Sequence, residues 1–136
     1  MMQEQRATIF YMDDDTDDVQ LLIDVFQSID TSYQVRSALN GDEGLRLLNV
    51  MKHTGDLPCL IILDINMPKL DGKETFKRLK TDPVLSQIPL VVFSTSNNGE
   101  DKKYFEGQNV EYITKPFEYA VFIETARRLL NLCVRN

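Results

Sequence analysis

Five of the six residues from Asp13 to Asp18 are carboxylates, in the stretch IFYMDDDTDDVQLL. An apolar run leads into them and an amphipathic one follows. Charges of one sign packed this closely repel, and burying them is costly unless something compensates. Further along, Asp64 follows CLIIL, Ser94 and Thr95 follow LVVF, and Lys115 follows EYIT. Three carboxylates brought together cannot all stay ionised in isolation. A hard divalent cation resolves the repulsion. Mg²⁺ fits best, because it prefers oxygen ligands, takes few carboxylates and keeps waters that a phosphate can replace. A carboxylate held beside such a cation can attack phosphorus and become an aspartyl phosphate. An ammonium at Lys115 and a hydroxyl at Ser94 would then serve the phosphoryl oxygens.

These residues can meet only if the fold brings them together. Three apolar runs, Ile9–Met12, Leu60–Leu63 and Leu90–Phe93, read as strands buried on both faces. Two segments alternate instead, 33–37 and 110–114, and read as strands with a wetter face or an edge. Between them lie helical patterns: Val19, Leu22, Ile23 and Phe26; Leu45, Leu48 and Met51 after Gly41-Asp42; Phe76 and Leu79 after Asp71-Gly72; Phe122, Ala126, Leu129 and Cys133. The polar stretch NNGEDKKYFEGQN, 97–109, offers only Tyr104 and Phe105 to a core, so a fourth helix there should be short. Strand and helix thus alternate through five repeats, which implies an α/β fold: a doubly wound parallel sheet with helices on both faces. Placing the continuous runs centrally and the alternating ones at the edges gives strand order 2-1-3-4-5, the flavodoxin-like winding. In such sheets ligands bind at the carboxyl ends of the strands, where the winding reverses. Asp13, Asp14, Asp64, Ser94 and Lys115 all fall there.

In this order and spacing, Asp13-Asp14, LDINMPKLDG from Leu63, VVFSTS from Val91 and YITKPF from Tyr112 resemble a response-regulator receiver domain, similar to the stand-alone chemotaxis regulator. Ser94 lies thirty residues after Asp64 and Lys115 fifty-one after it. The resemblance implies a role for each residue. Asp64 would be the phosphoacceptor. Asp14 would bind Mg²⁺ directly and Asp13 would orient it. The Asn66 backbone carbonyl would be a further ligand. Lys115 would pair with the phosphoryl group, with Pro116 following through a cis bond. Ser94 would move onto the phosphoryl group, and Tyr112 would be the aromatic switch that turns inward with it. Asp15, Asp17 and Asp18 would do no more than cap the first helix and suit its dipole. The partners implied are a histidine kinase or phosphotransfer protein and an unknown downstream protein. A homodimer through the fourth helix, fifth strand and fifth helix is possible.

Composition bounds the rest. The chain of 136 residues suits a single receiver domain (core about 8–134) with no output domain attached. A net charge of −6 without a Lys/Arg block argues against nucleic acid. No segment approaches the ~20 apolar residues of a membrane span, and MMQEQRAT has no signal core, which suits a cytoplasmic protein. Cys59 and Cys133 sit in apolar surroundings outside any CxxC and read as buried free thiols. His53, the only histidine, reads as exposed, which argues against a zinc site and against histidine phosphotransfer by this chain. A haloacid-dehalogenase phosphatase wants DxDxT, and Thr16 comes one residue early. An EF-hand would use Asp13, Asp15 and Asp17, but Asp18 stands where Gly is needed and Asp24 where Glu is. A pseudo-receiver adaptor working without phosphate is the alternative within the family. Such a chain is a signalling module, not a metabolic enzyme.

Overall fold

A computed structural model describes residues 6–96 and 98–133. The elements follow in order: β1 (Ala7–Met12), α1 (Thr16–Ile29), β2 (Tyr33–Ala38), α2 (Gly41–Thr54), β3 (Leu60–Leu63), α3 (Gly72–Thr81), a 3₁₀ turn (Leu85–Gln87), β4 (Leu90–Ser94), α4 (Gly99–Gly107), β5 (Glu111–Thr114) and α5 (Tyr119–Leu132). The strands form one parallel sheet in the expected order β2-β1-β3-β4-β5. The sheet's pleat sorts its apolar residues into two cores. Ile9, Tyr11, Leu60, Ile62, Val91 and Phe93 face α1 and α5, while Phe10, Met12, Ile61, Leu63 and Val92 face the side covered by α2, α3 and α4. The central runs Ile9–Met12, Leu60–Leu63 and Leu90–Phe93 are apolar at successive positions because both faces of the sheet are covered there.

The helix starts are set by side chains that accept otherwise unpaired N–H groups. Asp15 caps α1 by accepting from the N–H groups of Asp17 and Asp18, and Asn40, Asp71 and Asn98 cap α2, α3 and α4 in the same way. Each such cap contributes about 1 kcal/mol. The helix expected to be short is short. α4 has nine residues, held by Phe105, which is fully buried, and by Tyr104 packed edge-on against Phe76 and Phe105. Gly72 opens α3 beside the central strand's end. A Cβ there would lie 2.6 Å from Ile65 Cα and 2.7 Å from the Asp64 carbonyl oxygen, so only glycine lets α3 seat against the backbone that follows β3.

Two expectations are corrected by the structure. Cys59 and Cys133 are not free thiols: they form a disulfide with Cα atoms 4.8 Å apart, joining the start of β3 to the C-cap of α5. The apolar surroundings that suggested inert thiols are the contact between these two elements, so the same packing that buries the sulfurs also brings them together. Pro116 does not follow a cis bond; no peptide bond among the described residues is cis. The trans form is the lower-energy one for X–Pro, and Lys115 already gains its position from the sheet ladder described below.

Candidate functional site

Register carries the reactive residues to one level. Met12 pairs with Leu63, so the residues that follow, Asp13 and Asp64, leave neighbouring strands side by side. Ser94 pairs with Thr114, so Lys115 emerges next to Ser94. The ladder runs one residue past the strands: Asp13 N–H donates to the Ala38 carbonyl at 3.0 Å, Asp64 N–H to that of Met12 at 2.9 Å, and Lys115 N–H to that of Ser94 at 2.9 Å. The backbone of all three residues is thereby fixed before any side-chain contact is made.

The side chains converge. Lys115 Nζ donates to Asp13 Oδ2 at 2.6 Å, to Asp18 Oδ2 at 2.7 Å and to Asp64 Oδ2 at 3.1 Å. Ser94 Oγ donates to Asp64 Oδ1 at 2.7 Å, and Asn66 N–H reaches the same oxygen at 3.2 Å. Tyr11 hydroxyl donates to Asp13 Oδ2 at 2.6 Å, while Asp15 N–H donates to Asp13 Oδ1 at 2.9 Å. Asp13, Asp64, Ser94 and Lys115 are buried, whereas Asp14 and Asn66 lie exposed at the mouth. Tyr112 is half-buried, and its hydroxyl donates to the Ser96 carbonyl at 2.8 Å.

Burial and charge act against each other here. Burial pushes the Asp13 carboxyl up, although the hydrogen bonds from Lys115, Tyr11 and Asp15 pull it down. Burial alone would lower the Lys115 ammonium, but hydrogen bonds to Asp13 and Asp18 and the charge of Asp64 hold it above its ordinary value. Burial, then the charge of Asp13, raises the Tyr11 phenol, so it remains a donor. Lys115 is therefore a fixed cation in a carboxylate pocket.

One ammonium pairs with three carboxylates, those of Asp13, Asp18 and Asp64, and a fourth, Asp14, lies beside Asp13 and Asp64. Oxygens of Asp13, Asp14 and Asp64 lie within 4.8 Å of one another. An all-oxygen donor set with excess negative charge, open on the Asp14 side, fits a hard divalent cation and does not suit a softer metal. Of the metal ligands expected, these three carboxylates are brought together. Asn66 stands beside them, its N–H donating to Asp64 Oδ1.

Two members of the site were not legible. Tyr11 lies within an apolar run and reads as core, which its ring is; only its hydroxyl belongs to the pocket. Asp18 was expected to do no more than suit the helix start. It does lie in the first turn of α1, but its carboxylate reaches Lys115. The dull reading holds for Asp15, which caps the helix. His53 is exposed as expected.

Known proteins resemble this chain in sequence and fold. The response regulator receiver domain family matches residues 9–127. The chain is 28% identical over 125 residues to Protein PilH of Pseudomonas aeruginosa, covering 91% of this chain and 98% of that one. It is 29% identical over 124 residues to the polar-differentiation response regulator DivK of Brucella anthropi, covering 90% and 95%. The phosphorylated cyanobacterial phytochrome response regulator RcpA superposes with a TM-score of 0.84 at 29% identity, over 95% of this chain and 97% of that one. The Mn²⁺-bound form of response regulator Rcp1 superposes with a TM-score of 0.75 at 26% identity, over 90% of each chain. With its winding, its strand-end acids and the match along most of its length, this chain belongs to the response regulator receiver domain family of two-component phosphorelay signalling.

Proposed function

We propose that the chain is a phosphorylation switch in which Asp64 accepts a phosphoryl group from a histidine kinase or phosphotransfer protein in a Mg²⁺-dependent reaction. A carboxylate oxygen of Asp64 attacks phosphorus, the phosphorus–nitrogen bond to the donor imidazole breaks, and the imidazole leaves with the electron pair. Lys115 and Ser94, both already on Asp64, supply an ammonium and a hydroxyl to the phosphoryl oxygens as charge builds on them. Asp13, Asp14, Asp64 and the Asn66 carbonyl would hold Mg²⁺, which when bound neutralises charge on the transferred group. Ser94 sits next to the Tyr112–Ser96 hydrogen bond, so a change at Asp64 has a short route to α4 and β5. The observation that carries this reading is the meeting of Asp13, Asp64, Ser94 and Lys115 within hydrogen-bond distance at the ends of four different strands.

Output then runs through protein contacts rather than through chemistry on a metabolite. Phe117, Tyr119 and Val121 are exposed beside the site, at the approach to and start of α5, and support a protein-facing surface there, including a homodimer through α4, β5 and α5. The acidic balance speaks against nucleic acid, and no helix among the described residues is long and apolar enough to cross a membrane. We place the protein in the cytoplasm with its kinase. Intact mass after incubation with Mg²⁺ and acetyl phosphate tests the reading. One base-labile phosphoryl addition in the parent, absent without Mg²⁺ and absent from Asp64→Asn, is the expected result. Equal addition in the Asn variant would overturn the acceptor assignment.

A further inference from the structure

Lys115 has three N–H donors, and three carboxylates take them. Two of those carboxylates, Asp13 and Asp64, arrive by sheet register. The third, Asp18, arrives on α1, an element with its own anchors. Val19, Leu22 and Val25 pack α1 into the core, and the Asp15 cap fixes its first turn by binding the N–H of Asp18 itself. The contact is therefore a separate tether. It is also a short one: Asp18 stands 2.7 Å from Nζ, against 3.1 Å for Asp64. The Asp18 carboxylate is one-third exposed, while the Lys115 side chain is 7% exposed, so Asp18 holds the ammonium from the cleft's mouth and Asp13 holds it from below.

We propose that Asp18 is a positioning residue for phosphoryl transfer: with Asp13 it holds the Lys115 ammonium off Asp64, so that one N–H points at the acceptor without closing a tight ion pair on it. This inference rests on Asp64 being the acceptor. Held by two carboxylates, the ammonium spends its third donor on Asp64 Oδ2 and can pass that donor to an incoming phosphoryl oxygen. Without Asp18 the ammonium has one strong partner, Asp13, and swings onto Asp64. Its pairing with the nucleophilic carboxylate must then be broken before attack. Loss of the tether should therefore slow the chemical step while leaving donor binding as good or better, because a negative charge at the mouth has also been removed.

The test compares the parent with Asp18→Asn, Asp18→Glu, Asp17→Asn, Lys115→Ala and the double variant of Asp18→Asn with Lys115→Ala. Phosphorylation by acetyl phosphate is followed at saturating Mg²⁺. Asp17→Asn removes the same charge one residue away without touching Lys115. The expected result is a maximal rate about fivefold lower in Asp18→Asn with an unchanged or lower KM, partial rescue in Asp18→Glu, and the parent rate in Asp17→Asn. In the Lys115→Ala background Asp18→Asn should add nothing. A second readout needs no phosphorylation: hydrogen exchange at the Lys115 ammonium, followed by nitrogen–proton NMR, should quicken by about fivefold in Asp18→Asn but not in Asp17→Asn. An unchanged rate and exchange in Asp18→Asn, or an equal loss with and without Lys115, would overturn the positioning role alone. A parent that takes no phosphoryl group would overturn the acceptor reading, and the positioning role with it.

Discussion

At the carboxyl ends of the strands the chain buries Asp13, Asp64 and Lys115 against one another; at the amino ends no charged residue among the described ones is buried, and the sheet closes with a disulfide and proline-bounded loops. The same backbone ladder serves both. Cys59 N–H donates to Thr8 at 2.8 Å and Ile61 N–H to Pro89 at 2.9 Å, as Asp64 N–H donates to Met12 at the other pole. What differs is the kind of contact placed on that ladder. The amino end is a passive closure in which each contact can be lost separately. The carboxyl end is a charge-balanced set in which removing one member strands the others. It also keeps an excess of negative charge that a bound cation can relieve. Reactivity sits where balance is incomplete.

The largest contrast is all or none. Asp64→Asn should abolish phosphorylation while the chain stays folded, since it removes charge from a crowded site. Next comes Lys115→Ala, which leaves Asp13 and Asp64 without their cation. Without Mg²⁺ it should cost about 3 kcal/mol of stability, as for a broken buried pair. With Mg²⁺ much of that should return, and metal binding should persist while the response at Tyr112 is lost. Denaturant melts with and without Mg²⁺ check this, and equal losses under both conditions would count against the charge-balance account.

At the amino end the effects should be structural only. Replacing both cysteines by serine opens a link that spans 74 residues and should cost about 2–4 kcal/mol. Reductant should lower the parent's melting temperature and leave the variant's unchanged. The phosphorylation rate should not move in either, and a change in it would blur the division between the two ends.

The smallest expected effect also lies at the amino end, where Lys52 in the last turn of α2 bridges to Asp82 at the C-cap of α3 at 2.7 Å. The hydrogen bond from Lys52, then the N–H groups of Leu85 and Val84, hold the Asp82 carboxyl at about 2 rather than its ordinary 3.8. A carboxyl held down in the fold stabilises it at pH values above its unfolded pKa, and that contribution fades as the pH falls from about 4 towards 2. Asp82→Asn should flatten this part of the acid unfolding curve by a small amount, because the pair is only partly buried and solvent screens it.

Much of this contrast could be read beforehand. The apolar runs at Ile9, Leu60 and Leu90 have no wet face, so they had to be central strands, and the winding followed from them. The acids and the lysine could be placed because each directly follows a strand. Three features could not be placed. Tyr11 is legible as core because its ring is core, and nothing in an apolar run says where a hydroxyl ends up. Asp18 is a plausible helix-start acid, and its reach to Lys115 depends on how α1 is rotated against the sheet. The disulfide pairs residues far apart in sequence, and an apolar setting describes a buried thiol and a buried crosslink equally well. In each case the missing information was a side-chain direction or a long-range packing contact.

The division between a reactive end and a passive one is tested most directly by amide NMR of the parent with Mg²⁺, before and after adding beryllofluoride as a phosphoryl mimic. The account predicts shifts concentrated at Asp13, Asp64, Ser94, Ser96, Tyr112 and Lys115, with Thr8, Cys59 and Cys133 unmoved. Shifts centred on the amino end of the sheet, or none at Asp64 and Lys115, would contradict it.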